Sequence, residues 1–328
     1  MHYSKEKSFL LKNKLEKERQ KVLRKSRYCL VHNCLNNAGG SHVFQRKGVL
    51  NNIADTTNHF YSISLRSVFN LKENDLFEIK RLGIDNCFKF PGFCNYHDNE
   101  IFKFIETHPI DFANPKSLQL FSYRTACLEY RNKEIYLEFI RSKLSVYRDI
   151  FPDKIHFIET RPAEIAIKDL LFYKSEFEVD LSNNSNLNYD LTLIELPLKR
   201  VCFSSALSIY DKKNKHTFRY DKYGEERTEP LSTSFLNYFP YNDRSLLIIA
   251  THKKYFCNWT GELIKKLQNQ INYDKIISDL LTYRVELWGI ATDVFESISA
   301  DKINEFKIQS HKYVNNYNYK IDSEFNLF

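Results

Sequence analysis

A cysteine and a histidine three residues apart open the run Phe93-Cys94-Asn95-Tyr96-His97-Asp98-Asn99-Glu100-Ile101-Phe102-Lys103-Phe104-Ile105-Glu106. Pro91-Gly92 supplies a turn just before it, and Ile101, Phe102 and Ile105 recur at helical spacing. Cys94 and His97 are therefore expected one above the other on a first helical turn, facing one point. Upstream, Tyr28-Cys29-Leu30-Val31-His32-Asn33-Cys34 sets two thiols five apart, just before a segment rich in turn formers. A short knuckle there would offer Cys29 and Cys34 to the same ion. Three thiolates and one imidazole suit tetrahedral zinc, so a structural Zn2+ held by Cys29, Cys34, Cys94 and His97 is expected.

A chain of 328 residues, 43% hydrophobic and 15% aromatic, is long enough for a large core or two domains and too apolar for disorder. The abundance of Lys, Asn, Ile, Tyr and Phe beside 8 Gly and one Met is what an AT-rich genome would favour, so aromatic content alone does not argue for base stacking. Lys and Arg exceed Asp and Glu by 7 (48 minus 41), compatible with nucleic acid or other anionic partners. Seven cysteines, an odd number, with no signal peptide and no apolar run of transmembrane length, point to a reducing cytoplasm and metal ligation rather than disulfides, and to no membrane partner.

Along the chain, residues 1–27 form a basic helical arm with one weak apolar stripe at Phe9, Leu10, Leu11, Leu15, Val22 and Leu23. It reads as a solvated helix docked on the body or as a phosphate-binding arm. Residues 28–110 form the zinc module: the knuckle, the turn Asn36-Asn37-Ala38-Gly39-Gly40, a short strand at Ser41-His42-Val43-Phe44-Gln45, strands at Phe60–Leu65 and Leu76–Ile79, then the ligand-bearing helix. Residues 111–150 are helical and expected to pack behind it, with Arg124 and Glu129 among the apolar positions. Pro152 and Pro162 mark a change of texture. The β-rich region 151–260 reads as a mainly antiparallel sheet with strands at Phe172–Val179, Leu191–Leu196, Val201–Tyr210, Thr217–Tyr220 and Leu246–Ala250, and a loop at Asn183-Asn184-Ser185-Asn186. Residues 261–328 read as a helical tail, with Leu263, Ile264, Leu267, Ile271, Ile276, Leu280 and Leu281 at helical spacing. The fold class is thus α+β, a zinc-stapled, treble-clef-like module followed by helices, a mainly antiparallel sheet and a helical tail. Trp259 and Trp288 read as core or interface anchors, and His216 and His252 as surface or strand-end residues. No phosphate loop, dinucleotide fingerprint or nucleophile elbow is present.

The order of knuckle, strand with a leading His, and helix opening with Cys94-x-x-His97-Asp98 resembles the zinc-bearing HNH endonucleases, over about a quarter of the chain. The resemblance implies a ββα site in which a catalytic metal, Mg2+ or Mn2+, sits beside the structural zinc. His42 then falls on the general base and Asp98 on the metal-binding residue at the end of the motif, where the family usually has His or Asn. His97 stands where the family usually has a second Cys. Ser41 occupies the place of the acidic or imidazole ligand before the base, and Asn86 is the nearest residue to the middle Asn. The residues leave other roles open: His42 as a cap on the knuckle or as fourth zinc ligand, Asp98 as a partner of its helix dipole, Cys87 as a further ligand. Two function classes follow. One is a zinc-containing protein that cleaves or binds nucleic acid, suited to a bacterial defence or mobile-element system. The other is a non-catalytic, zinc-stapled component that meets a protein partner.

Overall fold

The computed structural model describes residues 5–65, 77–107, 109–146, 153–185, 187–211, 213–217, 219–220, 226–269, 272–313 and 324–328. In chain order the elements are α1 (Lys5–Arg24), β1 (Gly40–His42), β2 (His59–Leu65), β3 (Phe77–Gly83), β4 (Lys89–Pro91), α2 (Asn95–Glu106), α3 (Pro115–Val146), α4 (Asp153–Ser182), β5 (Tyr189–Pro197), β6 (Val201–Leu207), β7 (Ser234–Tyr241), β8 (Arg244–His252), α5 (Asn258–Gln268), α6 (Tyr273–Tyr283), β9 (Trp288–Ile290), α7 (Thr292–Glu296) and α8 (Ala300–Tyr313).

Seven strands form one antiparallel sheet in the order β3-β2-β9-β6-β7-β8-β5, and β1 and β4 form a separate two-stranded ribbon. Helices cover both faces of the large sheet. Successive side chains on a strand alternate faces. Phe235 and Phe239 of β7, with Leu246, Ile248 and Ala250 of β8, accordingly join the core under α3 and α4. Leu236, Tyr238, Leu247 and Ile249 join the core under α5 and α6. Burial on both faces explains why Leu246–Ala250 is continuously apolar rather than alternating.

The mixture of helix with a mainly antiparallel sheet agrees with the α+β reading, and several boundaries are corrected. Phe172–Val179 is not a strand but part of α4, which runs through Pro162. Leu170, Tyr173 and Phe177 are among its buried positions, at helical spacing, and the aromatic, strand-prone residues of the run imitate a strand when it is read in isolation. Of the expected strand Thr217–Tyr220, Phe218 lies outside the described residues, Thr217 ends a 3-10 turn at Lys215–Thr217, and Tyr220 makes a single bridge to Glu226. The strand at Ser41 ends at His42 and gives way to a π-helical turn at Arg46–Leu50. β6 stops at Leu207, three residues short of Tyr210. The C-terminal region is not wholly helical, because Trp288–Ile290 is a strand in the middle of the sheet. Leu76, residues 147–150, Asn186 and Ile271 lie outside the described residues. No helix among the described residues is long and apolar enough to cross a membrane.

The segment between the two ligand pairs reaches the main sheet. The hairpin of β2 and β3 pairs with β9, Tyr61 opposite Ile290 and Ser62 opposite Gly289, and so forms one edge of the sheet.

Candidate metal centre

The knuckle is built by its backbone. Tyr28 bridges Asn37, the Cys29 N–H donates to the Asn36 carbonyl at 2.9 Å, and the Cys34 N–H donates to the Val31 carbonyl at 3.1 Å. The turn needs a left-handed residue, and Asn33 supplies it at φ 59°. Two further hydrogen bonds join the knuckle to the second ligand pair: Leu30 N–H to the Gly92 carbonyl at 2.9 Å and Gly39 N–H to the Phe93 carbonyl at 2.8 Å. A side chain at Gly92 would bring a Cβ to 2.5 Å from the buried Phe90 ring, so glycine permits this close approach. Cys94 is the N-cap of α2 and His97 its third residue, which places both on the first turn as their spacing predicts.

The four expected ligands converge: the Cys29, Cys34 and Cys94 sulfurs and a His97 ring nitrogen lie within 4.8 Å of one another. Cys34 Sγ is 3.9 Å from Cys94 Sγ, and His97 Nδ1 is 3.4 Å from Cys29 Sγ and 3.3 Å from Cys94 Sγ. Tetrahedral zinc, with Zn–S about 2.3 Å and Zn–N about 2.0–2.1 Å, sets ligand atoms roughly 3.5–3.8 Å apart, so the donor set and these three separations suit such an ion. The amide of His97 holds the Cys94 thiol below its ordinary value, while burial pushes the Cys29 thiol up. Cys87 is buried away from this set.

The residues expected to be catalytic lie differently. Ser41 and His42 are neighbours on β1 and face opposite sides. Ser41 is buried and accepts the Phe93 N–H at 3.0 Å. Burial, opposed by Arg124 and Ser41, raises the Asp98 carboxyl above its ordinary value. The Arg124 guanidinium of α3 occupies this corner: Nη2 is 2.6 Å from Glu106 Oε1 and 3.8 Å from Asp98 Oδ1, and the group lies 3.8 Å over the Phe102 ring. Arg124 itself is 1% exposed. His42 pairs in register with Lys89, and its Nε2 is buried without a hydrogen-bond partner among the described residues. Burial first, then Lys89 and Arg46, depress its imidazole to about 4. Asn86 belongs to a 3-10 turn before Cys87.

The sequence reading did not place Arg124 and Glu106 at the site. The available signal was a cation at a helical position flanked by apolar residues, which on a buried face demands an acidic partner. Among the described residues no second group of three His, Cys, Asp or Glu is close enough to hold an ion. Comparison with protein-family models, curated proteins and solved structures finds no match for this chain.

Proposed function

We propose that this protein binds nucleic acid through a zinc-stapled, treble-clef-like module related in layout to the HNH endonucleases, and that the module binds rather than cleaves. The observation that carries the first half is the order of the described elements: a two-thiol knuckle, the β1–β4 ribbon and a helix opening with the other two ligands, all around one Cys3His set. Zinc is the ion this donor set favours, and its role here is to hold the knuckle, ribbon and helix together. The basic helix that leads into the knuckle supports an anionic partner: Lys14, Lys17, Lys21, Arg24 and Lys25 are exposed.

Binding without cleavage follows from the corner beside Asp98. A hard divalent cation there would need oxygen ligands and would face the charge of a guanidinium already paired with the two nearby carboxylates. Ser41 adds only a hydroxyl, and the free nitrogen of His42 is buried away from water. Purified protein is expected to carry about one equivalent of zinc. It is expected to bind plasmid, single-stranded DNA or RNA with an affinity that falls steeply with salt, and to leave all three intact in Mg2+ or Mn2+. Divalent-dependent cleavage abolished by His42→Ala would replace this reading with the nuclease one.

The exposed Phe9 and Leu10 on α1 favour a second reading, a zinc-stapled component that docks on a protein. Zinc-loaded protein that ignores every nucleic acid even at low salt would select it.

A further inference from the structure

Resting on the nucleic-acid reading above, we infer that the face around the metal ligands is a stacking platform for single-stranded nucleic acid. Tyr28 precedes Cys29, Leu35 follows Cys34, and Tyr96 precedes His97; they are 65%, 83% and 68% exposed. Three of the four ligands thus each carry a large apolar neighbour that the fold leaves in water. Single exposed apolar residues are ordinary, but each of these three is the chain neighbour of one of the residues that converge at the candidate metal site. Ligand positioning does not explain them, because backbone hydrogen bonds of the knuckle and the first turn of α2 already place the ligands. The Tyr96 ring stands edge-on to the His97 ring, centroids 5.2 Å apart, which braces it beside the site without covering it.

Charge selects the occupant. Two acids of α1 are paired: Glu16 accepts from Arg19 at 3.1 Å and Gln20 at 2.9 Å, and Glu18 accepts from Ser142 at 2.9 Å and lies 4.0 Å from the exposed Lys21 ammonium. The cations Lys17, Lys21 and Arg24 face outward. Tyr28 is four positions after Arg24, so the backbone at the end of this cationic ridge lies at most about 14 Å from the backbone that carries the first ring. A cationic track that ends on exposed aromatic faces matches a strand whose phosphates follow the track and whose unpaired bases stack on the rings. A duplex keeps its base faces hidden and gains only from the track.

The test uses the metal-loaded full chain and fluorescence anisotropy with labelled oligothymidylate, oligouridylate and a duplex of equal length, over a salt series. Single strands are expected to bind at least about tenfold tighter than the duplex. Tyr28→Ala and Tyr96→Ala are each expected to weaken single-strand binding about 5- to 100-fold with the salt slope unchanged. Tyr28→Phe and Tyr96→Phe retain the ring and are expected to retain affinity. Replacing Lys17, Lys21 and Arg24 together by Ala is expected to reduce the salt slope by about 2 while keeping the preference for single strands. Metal content and melting temperature, measured on every variant, separate lost contacts from lost fold. Equal binding of duplex and single strands, or Tyr→Ala variants that bind like the parent, would overturn the platform and leave nucleic-acid binding standing. Absence of salt-dependent binding to any of the three probes would remove both.

Discussion

Cys94 is both one of the four converging candidate metal ligands and the N-cap of α2, and substitution by serine separates the two roles. Serine is among the best N-cap residues, so Cys94→Ser preserves the capping chemistry and removes only a thiolate. The variant is expected to lose its metal, and with it folded yield, because binding energy at a structural site is also folding energy; metal analysis and a thermal melt check this. Metal retained at one equivalent would refute the ligand assignment. His42 gives a contrasting prediction. It is outside the converging set, so His42→Gln should keep the metal. Its imidazole is depressed to about 4 by burial and by Lys89, Arg46 and Arg124, against the opposing pull of Asp85. A depressed histidine contributes stability that is present above the ordinary value near 6.5 and is lost as pH falls toward 4, since the unfolded chain takes up the proton first. Melting temperature of the parent should therefore drop more steeply than that of His42→Gln between pH 6.5 and 4, and parallel curves would show that His42 does not titrate in this way. Both ligand pairs were legible in the sequence, because each is a local spacing on a short element. The Arg124 corner was not, since Arg124 lies on α3 and its partners Asp98, Phe102 and Glu106 on α2, and no local pattern joins them.

At the scale of elements, β9 is three residues long and connects two parts of the sheet, pairing with β2 on one side and β6 on the other. Gly289 stands at its centre because the Phe60 ring lies against it: a Cβ there would meet Phe60 Cε2 at 2.7 Å, Phe60 Cδ2 at 3.0 Å and Ile53 Cδ1 at 3.1 Å. Phe60 is fully buried and contacts Phe88, so it has little room to yield. Gly289→Ala is expected to destabilise the protein by about 1–3 kcal/mol through overpacking. A lower urea midpoint with an unchanged slope would agree, and an unchanged midpoint would show that Phe60 moves freely. α4 carries a related lesson about length. Phe172–Val179, in which Phe172, Tyr173, Phe177 and Val179 are interspersed with Lys174, Ser175, Glu176 and Glu178, reads as a strand or as part of a buried helix, and only its packing against α3 and the sheet distinguishes them.

For the molecule as a whole, the metal site and the sheet share one core. Cys29 and Cys94 belong to the same buried cluster as Phe44, Phe88, Phe235 and Phe239, and the Phe44 ring lies 5.3 Å from Phe88 and 5.6 Å from Phe239. The chain between Cys34 and Cys94 carries this continuity, since it leaves the ribbon, builds the β2–β3 edge of the sheet and returns to the ligands. Removing the metal with a chelator is therefore expected to lower the melting temperature of the entire protein in a single transition rather than to release a separate small unit. Calorimetry of the metal-loaded and stripped forms checks this. A second, lower transition appearing only in the stripped form would show that the Cys and His module melts independently.

What the sequence determined by itself was everything that depends on neighbours within a turn or two: the two candidate ligand pairs Cys29/Cys34 and Cys94/His97, the helical character of α2 and α3, and β5 and β8 as strands. Cysteine spacing and apolar periodicity are local signals, and local geometry follows from them. Only the tertiary structure decided that the segment between the ligand pairs extends the main sheet, that Trp288–Ile290 is a strand, and that Arg124 faces Asp98 and Glu106. A three-residue strand has too few positions to show a period, and a buried cation does not reveal in sequence which carboxylates will neutralise it. Both are settled by long-range packing, where burying an unpaired charge or strand edge costs more than local preference can offset.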